Sequence, residues 1–505
     1  MIGREIDLSP RSAGRNRHHG KHNMKPTARI SETQVFTTQA FKTQAVAALS
    51  DDNLQVALAR AHGGFVKKRG AALDAFPEFE ALREAGRAIK AHTLSHLDFY
   101  LTRYEAEVTA HGGHVHWART SAEAREIITG ICTQNHAKRV IKGKSMVGEE
   151  IGINRALEEA NLHVTETDLG EYIIQLAGET PSHIIAPAVH KTRDRIARLF
   201  QAHHAEYGFT QRRTQVSELV DEARRVLRKK FLAADVGITG ANFLIAETGS
   251  NVLVTNEGNG DLSSTLPRVH IVIASIEKVV PSLEDATTLL RLLGRSATGQ
   301  VMTSYTTLST GPRRPADRDG PEEYHVVLID NGRSGILGTR YREILHCIRC
   351  GACLNHCPVY GAIGGHAYGW VYPGPMGAVL TPLLMGRGET LDLPGACSLD
   401  GRCKAVCPTI IDLPNLIRRL RIDAWQHKES PRVTRWLGRG WAFFARHPRL
   451  YARLTAFGAK ILGPFGGRGR LLQSLPLLRA WTGSRELPAP QGKTFQAQWK
   501  RRKSI

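Results

Sequence analysis

Seven of the eight cysteines lie in two short runs of equal spacing between residues 347 and 408. The first run is C-x-x-C-x-x-C-x-x-x-C-P, the sequence signature of a cubane iron–sulfur site. The second run repeats this spacing with an aspartate in place of its second cysteine. The residues are Cys347, Cys350, Cys353, Cys357 and Pro358, followed by Cys397, Asp400, Cys403, Cys407 and Pro408. Because each run must wrap around a cluster, this stretch is constrained to a ferredoxin-type fold.

The spacing also predicts which residues bind which cluster. In two-cluster ferredoxins the fourth cysteine of a run binds the other cluster. The predicted ligands of the first cluster, a 4Fe–4S cluster, are Cys347, Cys350, Cys353 and Cys407. Those of the second cluster are Cys357, Cys397, Cys403 and Asp400. A carboxylate holds iron in a sulfide cluster less firmly than a thiolate does. We therefore expect the second cluster to be either a 4Fe–4S cluster with a labile iron or a 3Fe–4S cluster. The alternative is that Asp400 faces solvent and another ligand replaces it.

Two other uses of clustered cysteines explain the pattern less well. Zinc ribbons pair C-x-x-C knuckles and need four ligands, which does not account for a triplet echoed by a second run with the same C-P ending. Disulfides belong to oxidising compartments, and the sequence shows no apolar secretory signal. The remaining cysteine, Cys132, lies in a predicted helix and is expected to be a buried apolar filler.

The net charge of +21 is concentrated at the two ends of the chain. Residues 1–30 carry seven basic and two acidic side chains, and residues 415–505 carry twenty and three, which leaves about −1 between them. We expect residues 1–30 to be a disordered basic extension, with Met24 as an alternative start. No apolar stretch approaches the ~18 residues that a membrane span needs.

The hydrophobic pattern between these ends predicts three regions. Residues 31–110 show apolar residues at three- and four-residue intervals, which indicates one long helix or two consecutive helices that pack on the next domain. Residues 111–335 alternate strand-like runs with helices, which predicts an α/β domain with a largely parallel sheet. The ferredoxin-type iron–sulfur domain follows at residues 336–422. The predicted strands are residues 114–117, 139–142, 162–165, 183–186, 269–274 and 324–329.

Four turn-rich segments interrupt the α/β domain, at residues 240–242, 247–250, 256–260 and 296–300. Backbone amides of glycine loops at strand ends can hold an anion such as phosphate or carboxylate. None of the segments is a nucleotide-binding fingerprint, and tight turns between strands explain them equally well. Glu247 and Glu257 are the candidate site carboxylates among them.

Several longer segments resemble one family. They are TGANFLIAETGSNVLVTNEGNG at 239–260, LPRVHIVIASIEK at 266–278, YPGPMG at 372–377, and the ending LPAP at 487–490. Together with the cysteine runs, they resemble the lactate utilization protein B family, the iron–sulfur subunit of a multi-subunit L-lactate oxidation system. The similarity covers the chain from about residue 60.

The resemblance implies a fold, a function and a set of ligands. It implies a sugar-isomerase/CoA-transferase-like α/β domain and electron transfer during the oxidation of lactate to pyruvate. The residues that match the family's cluster cysteines are Cys347, Cys350, Cys353, Cys357, Cys403 and Cys407. Asp400 stands where a family cysteine is expected, and Cys397 is the candidate to compensate for it.

The predicted function is electron transfer within a complex of lactate-utilization subunits, with a membrane or soluble electron acceptor. The alternative is a self-sufficient iron–sulfur oxidoreductase that acts on a small hydroxy acid or on a CoA- or nucleotide-like ligand. A nucleic-acid-binding iron–sulfur regulator is disfavoured, because no recognisable nucleic-acid-binding motif accompanies the basic tail. No catalytic residue is assigned.

Residues 423–505 form a basic C-terminal region in which aromatic residues are interleaved with arginine and lysine. Such a composition is typical of surfaces that meet anionic membranes or acidic partners. We predict a peripheral membrane helix within residues 436–460, with a solvated basic surface as the alternative. The predicted location is the cytoplasm, and the predicted membrane helix would place the chain at the inner face of the membrane.

Overall fold

The computed structural model describes residues 37–466, 471–472 and 487–502. The chain divides into two compact units, Met1–Arg421 and Ile422–Ile505. The predicted disordered extension at residues 1–30 lies outside the described residues.

The described part of the first unit begins with four helices. They are α1 Phe41–Leu49, α2 Asp52–Asp74, α3 Phe79–Ser95 and α4 Leu97–Ala110. The apolar pattern forms two consecutive helices after residue 78, because the backbone at His96 leaves the helical region between α3 and α4. Helix α3 continues through Gly86, where a Cβ would lie 2.4 Å from Leu292 Cδ1, so a larger residue would force the Leu292 side chain to move.

Ten strands form two sheets in the α/β domain. They are β1 His114–Ala118, β2 Arg139–Lys142, β3 His163–Glu166, β4 Val236–Gly240, β5 Phe243–Ile245, β6 Ser250–Thr255, β7 Val269–Ser275, β8 Val279–Val280, β9 Tyr305–Ser309 and β10 Glu323–Ile329. The larger sheet has the order β1-β10-β7-β4-β2-β3, and all its neighbours are parallel. The smaller sheet has the order β8-β5-β6-β9. The predicted α/β domain with a parallel sheet is confirmed.

Helices cover this sheet and supply its core. They are α5 Ser121–Gln134, α6 Met146–Ile151, α7 Ile153–Glu159, α8 Leu169–Ala177, α9 Arg193–His203, α10 Val216–Leu232, α11 Asn259–Thr265, α12 Leu283–Thr298 and α13 Arg333–Leu337. Every residue of β7 is buried, as expected for a central strand covered on both faces. Cys132 on α5 is fully buried, as predicted.

One predicted strand is wrong. Residues 183–186 form an irregular bend, in which the Nδ1 atom of His183 accepts the backbone N–H groups of Ile185 and Ala186 at 3.0 and 3.1 Å. The apolar run predicts an extended segment, but the His183 side chain satisfies the backbone groups that a neighbouring strand would otherwise bind. The short strands of the smaller sheet and β4 were not predicted.

Short helices surround the two cysteine runs. They are α14 Ala352–Asn355, α15 Pro358–Ile363, α16 Gly374–Met385, α17 Asp392–Gly395, α18 Arg402–Ala405 and α19 Leu413–Gln426. The later helices are α20 Arg432–Arg446, α21 Pro448–Leu462 and α22 Phe495–Arg502, and the strands β11 Leu471–Leu472 and β12 Leu487–Pro488 pair with each other.

The single helix predicted within residues 436–460 is two helices. His447 adopts φ −114° and ψ 76° between α20 and α21, because the proline that follows disfavours the helical conformation at this position. Among the described residues, no helix has the length and apolar character needed to cross a membrane.

Candidate functional site

Four thiols converge on one small cavity in the first unit. Its cysteines are Cys347, Cys350, Cys353 and Cys407, and the rest of its lining is mostly apolar, with Ile348, Met376, Ile411 and Leu413 among it. Three of these thiols come from the first run and one from the second, which is the grouping that the spacing predicts for the first cluster. Four thiols around an otherwise apolar cavity fit the ligand set of a 4Fe–4S cluster.

The two cysteine runs fold into matching loops. Arg349 and Leu399, each two residues after the first cysteine of a run, adopt left-handed conformations with φ of 60° and 58°. Their backbone N–H groups donate to the sulfur atoms of Cys347 and Cys397, both at 3.4 Å. Such N–H donors stabilise negative charge on a ligand sulfur. The replacement at Asp400 therefore leaves the loop conformation of the second run intact.

The remaining predicted ligands lie near one another. Burial raises the pKa of Cys403 to about 12, and the neighbouring charges of Cys397, Cys357 and Asp400 add to this rise. Burial also raises the pKa of Cys357, again with contributions from Cys397 and Asp400. Thiols with raised pKa values become thiolates only when a metal replaces their protons, which couples cluster binding to proton release.

Asp400 differs from its counterpart in the first run by its exposure. Its side chain is exposed, and its Oδ1 atom accepts the backbone N–H of Arg402 at 3.1 Å. Cys350, at the same position of the first run, is only 7% exposed. Asp400 thus lies beside the second group of thiols and is open to solvent. Its role as an iron ligand and its alternative role as a solvent-facing residue both stay predictions.

The N-terminal helices hold the second run in place. The guanidinium of Arg83 donates to the carbonyl oxygen of Cys407 at 2.8 and 3.0 Å, and Arg69 donates to that of Val406 at 3.1 Å. Arg69 lies on α2 and Arg83 on α3, so these helices contact the iron–sulfur segment as well as the α/β domain, where α3 meets α12.

A buried ionic network joins the first cysteine run to the α/β domain. The guanidinium of Arg333 binds Glu150 through two contacts of 2.8 and 2.6 Å, and its Nε lies 2.9 Å from Glu277. Glu277 also pairs with Arg349 at 3.2 Å, and Lys90 donates to its backbone oxygen. Burial would raise the pKa of Glu277, but Arg333 and Arg349 outweigh this effect and hold it at about 2. The ion pair between Arg349 and Glu277 therefore holds the loop between Cys347 and Cys350 against the α/β domain.

A larger cavity of about 250 Å³ opens at the carboxyl ends of the parallel strands. Three of the four turn-rich segments contribute to its wall, those at 240–242, 256–260 and 296–300. The strand order changes direction between β2 and β4, since β3 lies on the other side of β2, and ligands bind α/β sheets at such switch points.

The two candidate carboxylates have different positions. Glu257 lines the larger cavity, and burial and the nearby Asp168 raise its pKa. Glu247 is not part of the wall; its Oε1 accepts the N–H of Leu283 at 2.7 Å, at the start of α12. The segment at 247–250 is thus a structural turn between β5 and β6.

Sequence reasoning missed the charged residues of these sites. Glu277 and Lys278 begin two residues after the end of the apolar strand β7, and Arg349 lies inside the first cysteine run. A charged pair at the carboxyl end of a buried parallel strand is a signal that could have identified the first two.

Comparisons with known proteins give the family. Residues 101–329 match the LUD domain, residues 343–411 match the 4Fe-4S dicluster domain, and residues 421–504 match the C-terminal domain of lactate utilisation protein B. The iron–sulfur prediction is therefore confirmed at the level of a domain for two clusters, whereas the individual ligands stay predicted.

Full-length relatives agree with these matches. Lactate utilization protein B of Shouchella clausii is 44% identical over 455 residues, which cover 90% of this chain and 95% of that protein. The protein of the same name from Geobacillus kaustophilus is 44% identical over 86% of this chain and 90% of its own length. A solved structure of a DUF162 family protein from Deinococcus radiodurans has 14% identity, covers 46% of this chain and 98% of that one, and has a TM-score of 0.27. Because these relatives are 44% identical to this chain over most of their length, the chain belongs to the lactate utilization protein B family.

Proposed function

We propose that this chain is the iron–sulfur electron-transfer subunit of a multi-subunit system that oxidises L-lactate to pyruvate. The observation that carries the proposal is the crossing of the two runs, by which Cys407 joins the thiols of the first run and Cys357 lies with those of the second. Crossed ligand sets bring two sites close together. The clusters bound there supply one-electron redox chemistry.

The proposed ligand sets follow this grouping. The first site uses Cys347, Cys350, Cys353 and Cys407, and the second uses Cys357, Cys397 and Cys403 with Asp400 as a weak fourth ligand. The exposure of Asp400 supports a labile iron or a three-iron cluster, because water can compete with the carboxylate at this position.

The partners are proposed from the relatives, whose names refer to lactate utilization. Other lactate-utilization subunits would deliver electrons, and a membrane or soluble acceptor would receive them. The assignment of the α/β domain to the sugar-isomerase/CoA-transferase-like type, and a cytoplasmic location, are parts of the same proposal.

Peripheral membrane contact is proposed for the second unit. Helices α20 and α21 contain seven arginine or lysine residues and no acidic residue. Large apolar side chains are exposed on the same helices, with Trp436, Trp441 and Phe457 at 73%, 68% and 64%. Basic and aromatic side chains together favour an anionic lipid surface.

A second candidate function is supported by the larger cavity. A self-sufficient oxidoreductase would bind its own small organic substrate there, within the same unit as the predicted clusters. The two functions differ in what the purified chain does alone, because only the second predicts lactate turnover without partners.

The test is anaerobic purification of the chain with and without its native partners. Iron and acid-labile sulfide are measured per chain, and lactate oxidation is assayed with an artificial electron acceptor. Electron transfer is supported by two clusters per chain and by activity only in the co-purified complex. A colourless protein that lacks inorganic sulfide would refute it, and turnover by the chain alone would replace it with the second candidate.

A further inference from the structure

The larger cavity lies directly beside the predicted first cluster. Ile184 lines both this cavity and the four-thiol cavity. Arg349 also lines the larger cavity, and its backbone N–H donates to the sulfur of Cys347. A molecule in the larger cavity would therefore lie one side chain away from a cluster ligand.

Two lysines line this cavity without an acidic partner. Lys278 donates to the carbonyl oxygen of Ala241 at 2.6 Å, and Lys144 donates to that of Ile185. Within the described part of the chain, neither ammonium lies within 4.0 Å of a carboxylate. Each ammonium has three donors, so donors remain for a ligand. Burial lowers the pKa of Lys278 to about 8, although the nearby Glu277 favours its charged form.

The rest of the wall limits the size and chemistry of such a ligand. The volume of about 250 Å³ exceeds that of an engineered cavity of about 150 Å³ that holds benzene. Glycine-containing turns bring backbone close to the cavity, and the carboxylates of Asp168 and Glu257 line it as well. These carboxylates can accept hydrogen bonds from hydroxyl groups of a ligand.

We propose that this cavity is a binding site for a small hydroxylated organic anion whose carboxylate or phosphate group is held by Lys144 and Lys278. Arg349 places the bound anion in contact with the loop of the first cluster, so that the cluster senses occupancy. The contact between anion and cluster requires the cluster ligands given under the proposed function. The anion site itself requires only the residues that line the cavity.

The test uses the cluster-loaded protein and isothermal titration calorimetry. The carboxylate probes are L-lactate and D-gluconate, and the phosphate probes are inorganic phosphate and glycerol 3-phosphate. We expect one probe class to bind, and Lys278→Met and Lys144→Met each to weaken its affinity about 10- to 100-fold, the usual effect of removing a charged hydrogen bond. Lys229→Met is the matched control, because Lys229 is exposed on α10.

Circular dichroism and iron content of each variant show whether it folds and holds its clusters. Electron paramagnetic resonance of the reduced protein gives the second readout, in which the bound probe is expected to change the signal of one cluster only. The site is refuted if no probe binds, or if both lysine variants bind as tightly as the Lys229 control. Binding that leaves both cluster signals unchanged would refute the contact through Arg349. Neither result depends on lactate oxidation, so failure of the proposed function is recognised separately.

Discussion

Glu277 is the residue at which the link between the two domains can be tested. It is 1% exposed and is bound by Arg333 and Arg349, which belong to the end of the α/β domain and to the first cysteine run. The variant Glu277→Gln keeps the shape of the side chain and removes its charge. It leaves the neighbouring cations with one carboxylate fewer in a buried site.

The expected cost follows from the pKa of Glu277. Its neighbours hold this pKa at about 2, against an ordinary value of 4.5, and each pKa unit corresponds to ~1.4 kcal/mol. The charge therefore contributes about 3 kcal/mol to the free energy of unfolding, near the lower end of the ~3–5 kcal/mol for a broken buried pair. Lys90 limits the loss, because burial already lowers its pKa to about 8 and it can release its proton in the variant.

Urea unfolding of the cluster-loaded protein measures this cost. With an m-value of about 3 kcal/mol per M, a loss of this size lowers the urea midpoint by about 1 M. A depressed pKa contributes stability above pH 4.5 that is lost as the pH falls towards 2. The carboxylate stays ionised from pH 7 to pH 5.5, so the variant should be less stable than wild type throughout this range.

The matched control is Glu322→Gln, which removes an exposed ion pair with Arg313. Exposed pairs contribute ~0–1 kcal/mol, so this variant should shift the midpoint little. The reasoning about Glu277 would be refuted if its variant unfolded at the same urea concentration as this control. It would also be refuted if the difference from wild type vanished between pH 7 and pH 5.5.

Three further predictions concern the clusters and the second unit. Cys407→Ser should remove about half of the bound iron, because Cys407 lines the four-thiol cavity, whereas Cys132→Ala should leave the iron content unchanged. Iron and sulfide analysis measures this, and full iron in both variants would contradict the prediction. Asp400→Cys should retain more iron in air than wild type, since a thiolate is the softer ligand, and a spectrum identical to wild type would show that Asp400 binds no iron. Trp436→Glu should weaken sedimentation with anionic vesicles at low salt, and the membrane proposal fails if wild type does not sediment with them.

The first cysteine run illustrates what local pattern is able to predict. Spacing of three residues is a property of one loop, so it indicates the loop, the cluster type and the crossed assignment without knowledge of distant residues. Strand β7 is equally accessible, because its continuous apolar run reports burial on both faces, whereas the glycines of β4 conceal that strand. The prediction for residues 183–186 is wrong for a related reason: the sequence shows the apolar run but not the hydrogen bonds that His183 makes within it.

The sequence by itself determined the two cluster-binding loops, the α/β class and the basic C-terminal region, since each depends on neighbouring residues or on composition. Only the tertiary structure decided that Arg83 of α3 holds Cys407, 324 positions away, and that Lys144, Lys278 and Arg349 line one cavity beside the thiols. Burial and charge pairing act between residues that are close in space, whatever their separation along the chain. They therefore produce no periodic pattern in the sequence.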